Sequence, residues 1–178
     1  MSDTSVGLSR VEVLADFRLA LLSREIALLA RREVLSGKAK FGIFGDGKEV
    51  AQIALARFFR PGDWRSGYYR DHTFMMAAGV SNAEQFFYQV YGHTDETVNP
   101  GSAGRNFNNH FASCSINPDG SWNRLSEMKN SCADLSPTAG QMPRLVGLGY
   151  ASKLYRENPQ LADMTQSQRG VMRWLLVP

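Results

Sequence analysis

The chain has 178 residues, 43% of them hydrophobic, and a formal net charge of +3 from 20 Lys and Arg against 17 Asp and Glu. This length and apolar content suit one globular domain with a buried core and leave too little chain for two. The basic residues are scattered, which argues against a nucleic-acid partner. No apolar run approaches a membrane span, so we expect a soluble protein without membrane contact, cytoplasmic if its source is bacterial.

Helical periodicity begins near the N-terminus. Ser9 and Glu12 have the spacing of a capping box. A long first helix is predicted from there to about Leu35, with Gly37 as its stop. Its apolar residues at helical spacing are Val11, Leu14, Phe17, Leu21 and Leu28.

A second helix is predicted from near Lys48 to a point before Pro61. The pattern places four of its apolar residues inward, namely Val50, Ile53, Ala54 and Phe58. An extended segment then leads to Tyr69 and a short helical pattern closed by Gly79. Residues 81–84 have capping-box spacing and open a helix that Gly92 ends.

Residues 93–135 are rich in Gly, Asn, Ser and Pro and show no sustained period. A connection of this length in a compact domain is usually a functional loop or lid. A last helix is predicted from Pro143 to about Arg156. Its small residues form a face suited to close packing, namely Gly147, Gly149 and Ala151.

Residues 67–72, Gly-Tyr-Tyr-Arg-Asp-His, carry the most informative chemistry. Arg70 is a planar bidentate donor just before a helix start, and such a donor together with backbone N–H groups suits an anionic cofactor. The alternative is a surface arginine paired with Asp71. Local sequence leaves both interpretations open.

Any imidazole base must be His72, His93 or His110. His110 is the better candidate because it lies in a polar loop with an arginine, whereas His93 follows Gly92 and is expected to be solvated. A lone loop histidine is more often a hydrogen-bonding residue than a catalyst. The only cysteines, Cys114 and Cys132, form no C-x-x-C pair, which argues against a disulfide framework or a metal site.

Residues 136–143, Ser-Pro-Thr-Ala-Gly-Gln-Met-Pro, place hydroxyls, an amide and free backbone donors before a helix. Such a segment can bind an anion or a polar ring, or it can simply cap the helix.

Five segments then form an ordered set: residues 41–49, 61–64, 69–72, 104–111 and 136–143. Over about residues 10 to 165 this set resembles the N-terminal half of the alpha subunit of thiamine diphosphate-dependent 2-oxo acid dehydrogenases. It is most similar to bacterial branched-chain (2-oxoisovalerate) dehydrogenases with fused alpha and beta halves. The resemblance implies an α/β, doubly wound thiamine diphosphate-binding fold, present here as a mainly helical N-terminal part.

The resemblance also implies site residues. Tyr69 and Arg70 match a pair that contacts the cofactor diphosphate, and Phe41 matches a phenylalanine beside the cofactor. Contacts to its pyrimidine side are implied for Ser136, Thr138 and Gln141. Some relatives bind potassium near this segment, but Leu135 and Gly140 stand where those relatives have hydroxyl groups, which argues against that ion here.

Gly45-Asp46-Gly47 has the letters of the metal-binding motif of thiamine diphosphate enzymes. That motif needs an asparagine further along to complete the magnesium site. The next asparagine, Asn82, lies too far away and at a helix start, where capping explains it. We interpret Gly45 and Gly47 as turn glycines and expect the magnesium ligands beyond this chain.

The implied activity is oxidative decarboxylation of branched-chain 2-oxo acids, with acyl transfer to the lipoyl group of the acyltransferase component. Pyruvate and acetoin dehydrogenase alpha subunits are alternatives in the same class. The implied partners are a beta subunit or beta half and the acyltransferase component, in an oligomer. An alternative of another class is a non-catalytic helical interaction module, with Phe86, Phe87, Tyr91 and Trp64 packing against a partner and Arg70 as an interface residue.

The end of the chain departs from the family. Residues 1–165 are interpreted as the N-terminal part of the cofactor-binding domain, and residues 166–178 as an atypical tail, truncated or produced by a shifted reading frame. The metal ligands and a later catalytic histidine would follow residue 165 in relatives. We therefore expect little or no activity from the chain alone.

Overall fold

A computed structural model describes residues 7–100, 102–161 and 174–176, and it is mainly helical with a small parallel sheet. The helices are α1 (Arg10–Leu35), α2 (Glu49–Ala56), α3 (His72–Ala77), α4 (Ala83–Val90) and α5 (Gln141–Glu157), followed by a 3₁₀ turn (Pro159–Leu161). The strands are β1 (Trp64–Ser66), β2 (Asn130–Ser131) and β3 (Trp174–Leu176). Within the described residues, no helix is both long and apolar enough to cross a bilayer.

The sheet has the order β2-β1-β3, and both strand pairs are parallel. Trp64 at the start of the central strand aligns with Asn130 on one side and with Trp174 on the other. Parallel neighbours need long crossover connections, here supplied by helices and by the 93–135 loop. Strand β3 belongs to the predicted tail, of which residues 166–173 and 177–178 lie outside the described residues. The prediction of a truncated or frame-shifted tail concerns mostly these residues.

The predicted start and stop of α1 are confirmed. Ser9 Oγ accepts a hydrogen bond from the Glu12 amide at 3.2 Å, while the Ser9 amide donates to the Glu12 carboxylate at 2.8 Å. Gly37 follows the helix with φ +79°. The left-handed conformation there is one that glycine adopts without steric cost.

The face of α1 that enters the core is not its most apolar one. The buried residues are Ser23, Ile26, Ala27 and Ala30. Val11 is 76% exposed and Phe17 is 58% exposed. Three of the four buried side chains are small, whereas large apolar side chains of the same helix are exposed.

For α2 the predicted inward face is wrong except at Ile53. Val50, Ala54 and Phe58 are exposed, and the helix instead buries Glu49, Gln52, Ile53 and Ala56. Glu49 is held by Arg24, whose guanidinium donates at 2.6 Å, and this hydrogen bond lowers the pKa of Glu49 to about 2. The polar residues turn inward because they satisfy charged and backbone groups of other segments.

The predicted capping box at residues 81–84 is wrong in detail. Asn82, not Ser81, caps α4, with its Oδ1 accepting from the Gln85 amide at 2.9 Å. Asn82 has the extended backbone of an N-cap, as the capping explanation for this residue requires. Gly79 and Gly92 close α3 and α4 with positive φ, as predicted.

Helix α5 starts two residues earlier than predicted, so Pro143 lies in its first turn rather than at its first position. A Cβ added at Gly147 would meet nothing within 4 Å. The small-residue face therefore makes no close contact at Gly147 within the described residues.

Among the described residues, the apolar core consists of two clusters. One joins α1 to α4 and comprises Ile26, Ala27, Ala30, Ala39, Phe44, Phe86 and Val90. The other surrounds α3 and comprises Ala56, Phe59, Phe74, Met75, Ala78 and Phe111. Phe86 is 1% exposed and belongs to the core, so its predicted role in packing against a partner in the interaction-module alternative is wrong.

Candidate functional site

The Gly45 segment lies directly against the Arg70 backbone. A Cβ at Gly45 would collide with the Arg70 carbonyl oxygen, which also accepts a hydrogen bond from Gln52 Nε2 at 3.2 Å. Gly45 also opens a turn, since its carbonyl oxygen accepts from the Lys48 amide at 3.3 Å, so the turn interpretation holds and the close approach adds a second reason for glycine here. Gly47, with φ +98°, is a turn glycine as predicted, and Asp46 forms an ion pair with Arg31 at 2.5 Å.

The Arg70 residue, whose carbonyl oxygen makes this contact with Gly45, is half-buried. Its Cζ lies 5.5 Å from the centroid of the Tyr69 ring, and its Nε is buried without a hydrogen-bond partner. The predicted alternative, an ion pair between Arg70 and Asp71, is wrong because Asp71 pairs with Arg65 at 2.7 Å. The Arg70 side chain thus retains donor capacity that no described protein group uses at Nε.

Beneath Tyr69 and Arg70 lies a fully buried charge cluster. The Arg65 guanidinium contacts Asp71 at 2.7 Å and Asp134 at 2.8 Å, and all three side chains are fully buried. It also donates to Ser131 Oγ at 2.7 Å. One cation therefore faces two carboxylates, and burial raises the pKa of Asp71 to about 6 and also raises that of Asp134.

The two carboxylates fix the backbone on both sides of the candidate site. Asp71 Oδ2 accepts from the Tyr68 amide at 2.7 Å, and Asp134 Oδ2 accepts from the Phe111 amide at 3.1 Å. Tyr68 precedes the Tyr69–Arg70 pair, and Phe111 follows His110. The cluster therefore positions both segments relative to β1.

His110 lies at the centre of the site, in a defined tautomer. Its Nδ1 is 3.0 Å from the carbonyl oxygen of Asn108, and its Nε2 is 2.7 Å from Ser136 Oγ. A carbonyl oxygen only accepts, so Nδ1 carries a proton, and in the neutral form of the ring Nε2 is left to accept from Ser136 Oγ. The ring is nearly parallel to that of Tyr69, with centroids 6.1 Å apart and an interplanar angle of 14°. An imidazole held in this way can take or return a proton at Nε2.

The other two histidines lie away from this arrangement. His72 is 1% exposed and packs near Phe86, and burial lowers its pKa to about 4. His93 is exposed, as predicted. The two cysteines are free thiols.

A cavity of about 280 Å³ opens beside His110. Its walls are Phe41, Ile43, Tyr69, Phe107, Asn108, His110 and Ser136. Phe41 and Phe107 meet edge to face with centroids 5.2 Å apart. The cavity combines apolar rings with a histidine, a hydroxyl and an amide, which is the usual composition of a small-molecule site.

The structure brings three of the predicted cofactor-binding residues to this cavity, whereas Arg70, Thr138 and Gln141 are not among its lining residues. Phe41, Tyr69 and Ser136 line it. Thr138 contacts the Tyr68 hydroxyl at 3.2 Å, and Gln141 is buried with its Oε1 unpartnered. Sequence reasoning did not single out Ile43, Phe107 or Asn108, although all three lie inside the segments that it did select.

Comparison with known protein families agrees with the resemblance. Residues 18–162 match the model of the dehydrogenase E1 component family, which is thiamine diphosphate-dependent. E1 components of 2-oxo acid dehydrogenases generally work in complexes with beta subunits and other components. The match includes every residue assigned above to the cavity and to the buried charge cluster.

Proposed function

The chain belongs to the dehydrogenase E1 component family, and we propose that it carries the diphosphate-anchoring part of a thiamine diphosphate site for the decarboxylation of branched-chain 2-oxo acids. In the complete complex, the acyl group would pass to the lipoyl group of the acyltransferase component. A beta subunit or beta half would be the second partner.

The observation that carries this proposal is that Arg70 Nε is buried and has no hydrogen-bond partner among the described residues. A buried guanidinium nitrogen without a partner is costly unless a ligand supplies an acceptor. Phosphate oxygens supply acceptors in the geometry that arginine binds best. Gly45 and Gln52 hold the Arg70 backbone, and the Arg70 Cζ lies 5.5 Å from the centroid of the Tyr69 ring.

The neighbouring residues fit the rest of the cofactor. Phe41, Tyr69 and Ser136 would border its rings in the cavity, and Thr138 and Gln141 would support this wall. When bound, thiamine diphosphate supplies the carbanion chemistry that decarboxylates a 2-oxo acid. His110 Nε2 would hold or return a proton beside it, while the aromatic walls exclude water.

Magnesium is part of the proposal through the diphosphate that it would bridge. No group of three or more His, Cys, Asp or Glu side chains suited to a metal occurs among residues 7–100 and 102–161. The ion would take its protein ligands from outside these residues, because Asp46 pairs with Arg31 and no asparagine follows it before Asn82. Arg70 would then be the main cationic contact that the described residues offer to the diphosphate.

The choice of branched-chain acids over pyruvate or acetoin rests on the sequence resemblance, because the cavity walls Phe41, Tyr69 and Ser136 are assigned here to the cofactor rings.

Calorimetric titration of the full chain with thiamine diphosphate and Mg²⁺ tests the proposal. We expect binding weaker than micromolar by the wild-type chain, and a loss of about ten- to a hundred-fold in Arg70→Ala, since a hydrogen bond to a charged group contributes about 1.5–3 kcal/mol. Arg124→Ala is the matched control, because Arg124 is an exposed arginine whose ion pair, among the described residues, is with Glu127 three positions along the chain. Equal affinities for wild type and Arg70→Ala would refute the assignment of Arg70.

A further inference from the structure

A line of leucines on helix α1 is exposed to solvent. Leu14, Leu21, Leu28 and Leu35 recur every seven residues along this 26-residue helix, and their exposed fractions are 45, 49, 38 and 81%. Residues seven apart lie nearly in line, because two turns of an α-helix take about 7.2 residues. The four leucines form the leucine stripe, an exposed apolar seam about 30 Å long.

The other side of α1 fixes the helix to the core. Ile26, Ala27 and Ala30 are buried there, and Ser23 Oγ lies 2.5 Å from Thr73 Oγ1. The leucine stripe is therefore presented on a helix that is already formed, so that a partner need not order it on binding. Contiguous apolar surface of this kind on a folded chain is typical of an interaction site.

Positive charge borders the leucine stripe. Arg10, Arg18 and Arg32 are exposed, and each lies four residues from a leucine of the stripe. Among the described residues, none of the three forms an ion pair within the chain. The carboxylate at the same spacing is Glu25, four residues after Leu21. Three cations against one anion leave an excess of positive charge along the seam.

A second copy of the chain is a poor match for this surface. It would bring the same arginines to the interface, and like charges held side by side oppose association. A helix that carries Glu and Asp beside its own leucines matches both the apolar seam and its charge. Exposed ion pairs contribute little affinity, so the charges select the partner while the leucines supply the affinity.

We propose that α1 is a docking site for an amphipathic helix of a partner protein, one with a leucine-rich seam bordered by acidic residues. The two helices pack side by side along the leucine stripe, and Arg18 and Arg32 face carboxylates of the partner. The interaction is separate from the proposed cofactor site, because no residue that lines the cavity of about 280 Å³ belongs to α1.

The test measures the binding of two synthetic helical peptides to the full chain by fluorescence anisotropy. Both peptides have leucine at the a and d positions of about three heptads, and the e and g positions are Glu in one and Lys in the other. The Glu peptide should bind at least about tenfold more tightly, because only its charges are opposite to those of Arg18 and Arg32.

Variants at the stripe test the apolar contribution. Leu21→Ala combined with Leu28→Ala should weaken binding of the Glu peptide by about tenfold or more, because both changes remove apolar surface that the complex buries. Val146→Ala combined with Leu154→Ala is the matched control, since these residues of α5 are also exposed, at 74% and 46%. The control should bind the peptide as wild type does.

Charge-reversal variants test the choice of partner. Arg18→Glu combined with Arg32→Glu should reverse the preference, so that the Lys peptide binds more tightly than the Glu peptide. Lys153→Glu combined with Arg156→Glu makes the same change of charge on exposed residues of α5 and should keep the wild-type preference. Circular dichroism should show wild-type helix content in all variants, because every altered side chain is exposed.

Equal binding of the two peptides by wild type, or wild-type affinity in the variant with both leucines replaced, would overturn the inference. Sedimentation of the chain alone tests a second copy as the occupant, and flotation with vesicles of phosphatidylserine and phosphatidylcholine tests a membrane. Self-association or vesicle binding that the leucine variant abolishes, in a chain that binds neither peptide, would also overturn it.

Discussion

Adjacent buried residues, Asp71 and His72, should make opposite and nearly equal contributions to the pH dependence of folding. Burial raises the pKa of Asp71 from its ordinary 3.8 to about 6 and lowers that of His72 from 6.5 to about 4. Both side chains are essentially inaccessible, at 0% and 1% exposure. The same physical cause therefore acts on an acid and on a base in one pH window.

The signs follow from which state holds more protons. Between pH 4 and 6 the folded state binds more protons at Asp71, so stability from this residue is present below pH 3.8 and is lost as the pH rises to 6. At His72 the unfolded state binds more protons, so stability is present above pH 6.5 and is lost as the pH falls to 4. Each shift corresponds to about 3 kcal/mol, and the two largely cancel.

Asp71→Asn should leave the contribution of His72 to the pH dependence of the unfolding free energy uncompensated, and His72→Gln should do the same for the contribution of Asp71. The free energy of unfolding of Asp71→Asn should fall by about 3 kcal/mol between pH 6.5 and 4. That of His72→Gln should rise by a similar amount over the same interval. Arg65 pairs with both Asp71 and Asp134, and Asp134, whose pKa burial also raises, remains in every variant. The double variant should therefore have the same pH slope as wild type.

Urea unfolding followed by tryptophan fluorescence, at half-unit steps from pH 4 to 7, measures these slopes. Urea is uncharged and does not screen the buried charges. Differences between each variant and wild type remove the contribution of exposed carboxylates that titrate below pH 5. Parallel pH profiles for wild type and Asp71→Asn would refute the view that this carboxyl titrates near neutrality in the folded chain.

Two further predictions concern packing. Gly67→Ala should destabilise the chain by about 1–3 kcal/mol because a Cβ there would collide with the Arg65 guanidinium. Gly147→Ala should stabilise α5 by up to about 1 kcal/mol, because a Cβ there has no atom within 4 Å. Thermal unfolding of both variants measures these opposite changes in stability. Ile26→Ala should cost about 2–5 kcal/mol because Ile26 is 6% exposed in the core. Val11→Ala, at a residue 76% exposed in the same helix, should change stability by less than about 0.5 kcal/mol, and a comparable loss at both positions in chemical unfolding would contradict the core assignment.

Local signals in the sequence predicted the helices well because the interactions that start and stop a helix are themselves local. The bonds between Ser9 and Glu12 span a single turn, and the glycines after α1, α3 and α4 act through their own φ. The family resemblance likewise depends on short segments. The helix boundaries and the cavity segments could therefore be predicted without any knowledge of distant contacts.

The buried face of α2 could not be predicted in this way. Apolar periodicity favoured Val50 and Phe58, but Glu49 and Gln52 turn inward. Gln52 donates to the Arg70 carbonyl oxygen and accepts from the Phe74 amide at 3.0 Å. These partners lie far along the chain, so hydrophobicity alone points to the wrong face wherever a polar side chain satisfies a buried backbone group.

The same reason explains why Arg65 was overlooked and why it matters for the candidate site. Arginine is rarely buried without a partner, and its partners, Asp71 and Asp134, come from segments 6 and 69 residues away. Because one guanidinium holds two carboxylates that fix the Tyr68 and Phe111 amides, removing it would leave two buried charges unpaired. The relative position of Arg70 and His110 thus depends on the ion pairs of Arg65 with Asp71 and Asp134, which neither segment forms by itself.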